Sequence, residues 1–144
     1  MPTKSKPVTG SCSCGAVTYE ISADPMMQLQ CHCLNCQKSG GAGHNPIAVY
    51  TDDQVTVKGK LSEYKYQGDS GKMASALFCP TCGSQILGRA EVVPGTVAVR
   101  VGTMDDSSFF APQIAVYEKR KRHWDNQKAA IPGFPMMPPM PGGK

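Results

Sequence analysis

Short runs of alternating apolar and polar residues dominate the chain between residues 16 and 117. The clearest run covers 16–22, where Val17, Tyr19 and Ile21 alternate with polar neighbours. A period of two places successive side chains on opposite faces of a strand, so this run predicts a half-buried β-strand. Comparable runs predict further strands at 45–50, 55–58, 61–67, 73–78, 85–90, 97–101 and 113–117.

Helical patterning is weak in comparison. Residues 37–44 contain three glycines, and they predict either a flexible loop or a short helix that ends at those glycines. Many short strands with turn residues between them favour an all-β fold of one domain with little helix. We expect a flexible leader at 1–9, the folded domain at 10–125, and a Pro/Gly/Met-rich tail at 126–144 that wraps the surface or is disordered.

Composition narrows the class of protein. A chain of 144 residues with 40% hydrophobic and 18% charged residues is long enough to bury one core and should be globular. The net charge of +4 is too small by itself to indicate nucleic-acid binding, and it suits a small anionic ligand equally well. Neither a membrane-spanning apolar run nor a secretory signal is visible in the sequence. We therefore expect a cytoplasmic protein whose thiols stay reduced.

Seven cysteines carry the candidate chemistry, and an odd number does not fit a complete disulfide framework. Two paired units, Cys12 with Cys14 and Cys79 with Cys82, have the spacing of zinc knuckles. We expect these four thiols to close one structural zinc site that cross-links distant strands and contributes folding energy. The alternative is that they are unrelated buried or free thiols.

Cys31, Cys33 and Cys36 form the second candidate site. In an extended segment Cys31 and Cys33 project to the same side, and a turn across the two-residue gap returns Cys36 toward them. Three thiolates without a fourth Cys nearby describe a catalytic zinc with an open position, where a substrate thiol would be held as thiolate. Two alternatives stay open: a structural site closed by His44 or another side chain, and a metal-free redox pair of Cys33 and Cys36.

Histidines and a basic run complete the candidate residues. His32 lies between two candidate ligands, and its side chain should point to the opposite face, where it could transfer protons. The four consecutive cations at 119–122 precede His123 and the only Trp, Trp124. They predict either a solvated strand end or an anion-binding rim, which Lys38 could join, for the carboxylates of a small ligand or for nucleic acid.

Three segments carry a family resemblance. They are Gly-Ser-Cys-Ser-Cys-Gly at 10–15, Cys-His-Cys-Leu-Asn-Cys-Gln-Lys-Ser-Gly-Gly at 31–41 and Phe-Cys-Pro-Thr-Cys-Gly-Ser at 78–84. Together with the late Trp124 and the Pro-rich end, they resemble the glutathione-dependent formaldehyde-activating enzyme family, which also includes centromere protein V. The resemblance covers roughly residues 8–125 and all seven cysteines.

The resemblance implies a zinc-stapled, β-tent-like fold of several short antiparallel sheets, with 10–125 as the formaldehyde-activating-type domain. It implies two zinc ions per chain, of which the second could be labile, and glutathione as co-substrate. By position, the implied structural ligands are Cys12, Cys14, Cys79 and Cys82, and the implied catalytic-type ligands are Cys31, Cys33 and Cys36.

The residues and the family resemblance together imply two functions from different classes. The first is a zinc-dependent carbon–sulfur lyase acting on glutathione–aldehyde adducts such as S-hydroxymethylglutathione, or on a similar small thiol adduct. The second is a non-enzymatic zinc module that binds a macromolecule, either nucleic acid or protein, through the basic run at 119–122. Methionine sulfoxide reduction is a third reading, but it needs a nucleophilic Cys outside the metal sites, and all seven are assigned.

Overall fold

Ten strands are present in residues 7–68 and 70–125, the part of the chain that this computed structural model describes. The first five are β1 (Val8–Ser11), β2 (Thr18–Ile21), β3 (Met27–Cys31), β4 (Asn45–Thr51) and β5 (Val55–Lys58). The second five are β6 (Ser62–Gln67), β7 (Met73–Phe78), β8 (Gln85–Ala90), β9 (Thr96–Arg100) and β10 (Ile114–Val116).

The strands form two sheets. A small antiparallel sheet has the order β1-β2-β5, and a seven-stranded sheet has the order β10-β3-β4-β9-β8-β7-β6. Every neighbouring pair in the large sheet is antiparallel except β10 and β3, which run parallel. A 3₁₀ segment, Asp52–Gln54, carries the chain from β4 in the large sheet to β5 in the small one. The expected all-β fold of short, mostly antiparallel strands is therefore confirmed.

The eight strands predicted from alternation are all present, with their ends shifted by two residues at most. The sequence prediction lacks β1 and β3. Val8 in β1 is buried, so ordered structure begins inside the segment that we expected to be a leader. The sequence of β3 does not alternate between apolar and polar residues, because one of its buried residues, Gln28, is polar. The side-chain oxygen of Gln28 accepts a hydrogen bond from the backbone N–H of Ala111. The predicted tail at 126–144 lies outside the described residues.

The large sheet separates two apolar layers. Tyr50 of β4 and Tyr19 of the small sheet belong to one buried cluster, and this cluster is the main core between the two sheets. Ile47 of β4 belongs to a second cluster together with Cys31 and Cys36. Side chains alternate along β4, so its continuous apolar stretch is buried on both faces. The second layer is where three of the cysteines lie.

The described residues contain one α-helix, α1 (Leu34–Gly40), which is separated from the end of β3 by two residues. Cys33 is its N-cap residue, and Gly41 ends it in the left-handed conformation with φ 64°, a geometry that glycine adopts without strain. Of the two predictions for 37–44, the short helix that ends at glycines is confirmed, although the helix begins earlier, inside the cysteine cluster. Within the described residues, no helix is long and apolar enough to cross a membrane.

Candidate functional site

Cys12, Cys14, Cys79 and Cys82 come together although they lie at distant positions in the chain. Cys12 and Cys14 follow β1, whereas Cys79 follows β7 and Cys82 lies in the turn before β8. The Sγ atoms of Cys12 and Cys14 are 3.6 Å apart, those of Cys14 and Cys79 are 3.8 Å apart, and all four lie within 4.8 Å of one another. Four sulfurs around a tetrahedral zinc would be separated by about 3.8 Å. The group therefore fits a closed zinc site that joins the small sheet to the large one.

Backbone amides around this four-thiol cluster point at its sulfurs. Val17 N donates to Cys12 Sγ over 3.2 Å, and Thr81 N donates to Cys79 Sγ over 3.4 Å. Gly83, with φ 78°, allows the tight turn after Cys82. Hydrogen bonds from the side chain and backbone of Ser84 lower the pKa of Cys82 to about 5. These contacts stabilise thiolates, which is the form that binds zinc.

Cys31, Cys33 and Cys36 converge at the junction of β3 and α1. Cys31 is the last residue of β3, Cys33 caps the helix, and Cys36 lies in its first turn, with Cys36 N donating to Cys33 Sγ over 3.3 Å. The three sulfurs lie within 4.8 Å of one another. Among the described residues, no His, Asp, Glu or further Cys joins this three-thiol cluster. The turn that was expected to return Cys36 is thus the first turn of α1.

The three thiols share negative charge unequally. Hydrogen bonds from Cys31 and Cys36 lower the pKa of Cys33 to about 2. Hydrogen bonding with Cys33 and Cys36, together with burial, raises the pKa of Cys31. Negative charge is therefore most favoured on Cys33, whose Sγ also accepts a hydrogen bond from Cys36 N. A cation at the centre of the cluster would allow more of the sulfurs to ionise.

A cavity of about 190 Å³ opens beside the three-thiol cluster. Arg100, at the end of β9, is 8% exposed and lines this cavity together with Tyr66 of β6. Burial raises the pKa of Tyr66 to about 12, so its hydroxyl stays protonated at neutral pH. Lys72 and Arg89 are exposed and also line the cavity. The site thus combines a wall of three thiols, one buried cation, and an outer part that contains Lys72 and the Arg89–Asp52 ion pair.

The histidines and basic residues that the sequence singled out lie away from the three-thiol cluster. His32 points away from the three thiols, as expected, and His44 does not join them either; the two rings lie in a separate group with Asp125. Lys38 lines a different surface pocket, which it shares with Arg122 and Trp124. The structure therefore does not bring Lys38 or Arg122 to the thiol cavity as an anion-binding rim.

Arg100 is the site residue that sequence reasoning missed. The signal available was a single arginine at the end of an apolar strand, on the same face as Thr96 and Ala98. All three of these residues line the cavity. Nothing in the sequence showed that this face of β9 is next to the cysteines, because the pairing of β9 with β4 joins segments about fifty residues apart.

Comparisons with known proteins agree with this architecture. Residues 7–120 match the family model described as glutathione-dependent formaldehyde-activating enzyme. A Halomonas elongata protein, provisionally named a glutathione-dependent formaldehyde-activating enzyme, is 33% identical over 82 residues, which are 54% of this chain and 52% of that protein. The chain thus matches about half the length of this curated relative.

A solved structure is also similar. The crystal structure of a Rhodobacter sphaeroides protein superposes with a TM-score of 0.55 and 25% sequence identity, covering 67% of this chain and 87% of the other. The family match covers most of the chain and includes all seven cysteines. The chain belongs to the glutathione-dependent formaldehyde-activating enzyme family.

Proposed function

We propose that the chain is a zinc-dependent carbon–sulfur lyase acting on S-hydroxymethylglutathione or a similar small thiol–aldehyde adduct. The observation that carries the proposal is the convergence of Cys31, Cys33 and Cys36 on one wall of a cavity, with no fourth ligand-type side chain joining them in the described part of the chain. Three protein donors leave a tetrahedral ion one position for a substrate atom. Membership of the family supports glutathione and formaldehyde as the reactants.

The donor chemistry at both cysteine clusters fits zinc, because thiolate is a ligand that zinc favours. The four-thiol cluster would hold a structural ion, and the three-thiol cluster would hold a catalytic-type ion. When bound at the three-thiol cluster, zinc would keep a substrate sulfur in its thiolate form at neutral pH. We expect this second ion to be the more labile, since only three protein sulfurs hold it. The need for reduced thiols favours a cytoplasmic location.

The proposed reaction is a reversible addition. In the forward direction the glutathione sulfur forms a C–S bond to the aldehyde carbon, the carbonyl π bond opens, and the oxygen takes the proton that the thiol gave up. In the reverse direction the hydroxyl loses its proton and the C–S bond breaks. In both directions the oxygen carries negative charge at the transition state, and Arg100 and Tyr66 are two hydrogen-bond donors on the cavity wall that would stabilise it.

The size and charge of the cavity suit one end of such a substrate. A volume of about 190 Å³ has room for the substrate sulfur and the aldehyde carbon beside the thiols. Lys72 lines the cavity and is exposed, so it would be available to a carboxylate of glutathione; Arg89 also lines the cavity, but its Nη2 is 2.6 Å from Oδ1 of Asp52.

Comparing the wild-type chain with Cys33→Ser tests this proposal. Exchange between S-hydroxymethylglutathione and its two components is followed by NMR, because the uncatalysed reaction also proceeds. We expect wild-type protein to accelerate the exchange and Cys33→Ser to return it to the uncatalysed rate while keeping the structural zinc and an unchanged melting temperature. Equal acceleration by both proteins, for this adduct and for adducts of other small thiols, would rule out a catalytic role for the cluster.

A second candidate function, binding of a macromolecule, has one observation in its favour. Trp124 is 61% exposed and follows the run at 119–122, whose side chains are also exposed. Basic residues beside an exposed aromatic ring suit a nucleic-acid backbone and a stacked base. Fluorescence anisotropy with single-stranded and duplex oligonucleotides should then show binding that weakens as salt increases. Absence of binding at low salt removes this candidate.

A further inference from the structure

Three side chains outside both cysteine clusters form a third group of ligand-type atoms. His32 lies between β3 and α1, His44 immediately precedes β4, and Asp125 is the last described residue. Oδ2 of Asp125 is 2.8 Å from Nδ1 of His44 and 3.4 Å from Nδ1 of His32. One ligand atom from each residue lies within 4.8 Å of the other two.

The His32 ring lacks the partners that a buried imidazole needs. His32 is 1% exposed, and neither of its ring nitrogens has a hydrogen-bond partner among the described residues. A neutral imidazole carries one N–H donor and one acceptor lone pair, and leaving either unpaired in the interior is costly. A bound cation would accept the lone pair that the protein leaves unused.

The donor set defines the kind of ion. Two imidazole nitrogens and one carboxylate oxygen suit borderline divalent ions of the first transition row, such as zinc, iron(II) or cobalt(II). Ligands around a tetrahedral zinc with bonds of about 2.1 Å would lie roughly 3.4 Å apart. The 3.4 Å distance from Asp125 to His32 matches that spacing, whereas the 2.8 Å contact with His44 is a hydrogen bond that would lengthen when an ion binds.

The backbone leaves room for Asp125 at this place. A Cβ atom added to Gly43 would lie 2.5 Å from Cγ of Asp125, which is closer than real contacts allow. Gly43 therefore admits the carboxylate next to His44, and any larger residue would displace it. The side chains of His44 and Asp125 are 14% and 13% exposed, so an ion could reach the group from solvent.

From these observations we propose that His32, His44 and Asp125 bind a divalent first-row transition-metal ion at a site separate from both cysteine clusters. The ion would fasten the segment that contains Trp124 to the loop that holds Cys31 and Cys33. Three protein ligands leave it at least one position for water. The competing explanation is a metal-free contact in which Asp125 accepts hydrogen bonds from one or both rings. Both explanations pair only one nitrogen of His32, so metal content decides between them.

Metal content tests the proposal directly. The full-length chain is loaded with zinc, desalted and analysed for zinc per chain, beside His44→Gln, Asp125→Asn and the matched control His123→Gln, which changes the exposed third histidine. We expect the first two variants to hold one zinc fewer than wild type and the control to match wild type. Equal zinc in all four proteins would overturn the proposal.

Two further measurements keep the test decisive where a variant folds poorly. Gly43→Ala alters no ligand but displaces Asp125, so it should lose the same one zinc. In the wild-type chain, with zinc retained by the cysteines, added cobalt(II) should bind and give a spectrum without the intense sulfur-to-cobalt charge-transfer bands of thiolate sites. No cobalt uptake, or a spectrum with those bands alone, would show that Asp125 makes only hydrogen bonds.

Discussion

Arg122 donates a 2.7 Å hydrogen bond from Nε to Oε1 of Gln37, and this bond ties the end of the basic run to helix α1. Nε2 of Gln37 donates in turn to the carbonyl oxygens of His32 and Arg120. One buried amide thus connects the helix, the cysteine loop and the segment that follows β10. The basic run is thereby anchored beside α1 rather than at the cavity.

Replacing this amide should destabilise the protein. Gln37→Ala removes three hydrogen bonds, each worth about 0.5–1.5 kcal/mol, so we expect the free energy of unfolding to fall by about 1.5–4.5 kcal/mol. Urea denaturation measures the change, and Lys38→Ala, one residue along the same helix, is the matched control. A loss no larger than that of the control would mean that the amide does not anchor the segment.

Removing metal from the four-thiol cluster should unfold the chain. Structural zinc supplies an apparent binding energy of about 10–16 kcal/mol, which equals or exceeds the whole stability of a typical domain. We expect a strong chelator, or Cys79→Ser, to abolish the cooperative melting transition seen by circular dichroism. Cys31→Ser is the control, because it leaves the four-thiol cluster intact and should still melt cooperatively. An unchanged transition after complete zinc removal would contradict this role.

Arg100 should matter for turnover more than for folding. Its charge is the buried one at the cavity, and a hydrogen bond to a charged group is worth about 1.5–3 kcal/mol, which corresponds to roughly tenfold or more in rate. We expect Arg100→Gln to lower kcat/KM for S-hydroxymethylglutathione by at least about tenfold with a similar melting temperature. Lys60→Gln removes an exposed cation outside the cavity and should leave turnover unchanged. Equal rates in both variants would show that Arg100 has no role in the reaction.

Gly88 sets the position of the Arg100 side chain. A Cβ atom at residue 88 would lie 3.2 Å from Nη2 of Arg100, so Gly88→Ala should shift the guanidinium by a few tenths of an ångström. We expect a smaller loss of kcat/KM than in Arg100→Gln, in the same assay. Gly102→Ala is the matched control, because a Cβ there meets no atom within 4 Å. Losses of the same size in both glycine variants would indicate a general effect on the fold.

Local patterns predicted most of the strands because apolar and polar residues alternate along them and the apolar residues face a core. Tyr19 and Ile21 are both buried, as their spacing indicates, and the cysteine pairs locate the two thiol clusters through their own spacing. The features that the sequence did not predict depend on contacts between segments that are far apart in the chain. The parallel contact of β10 with β3 and the juxtaposition of His32 with Asp125 join segments more than eighty residues apart, and no local pattern encodes that proximity.

The proposed activity depends on a metal at Cys31, Cys33 and Cys36 that can accept a sulfur from the substrate. Zinc K-edge X-ray absorption of the zinc-loaded chain, recorded with and without glutathione, tests this most directly. We predict that glutathione increases the average number of sulfur ligands per zinc, and that Cys33→Ser shows no such increase. An unchanged sulfur count in the wild-type chain at saturating glutathione would contradict the proposed activity.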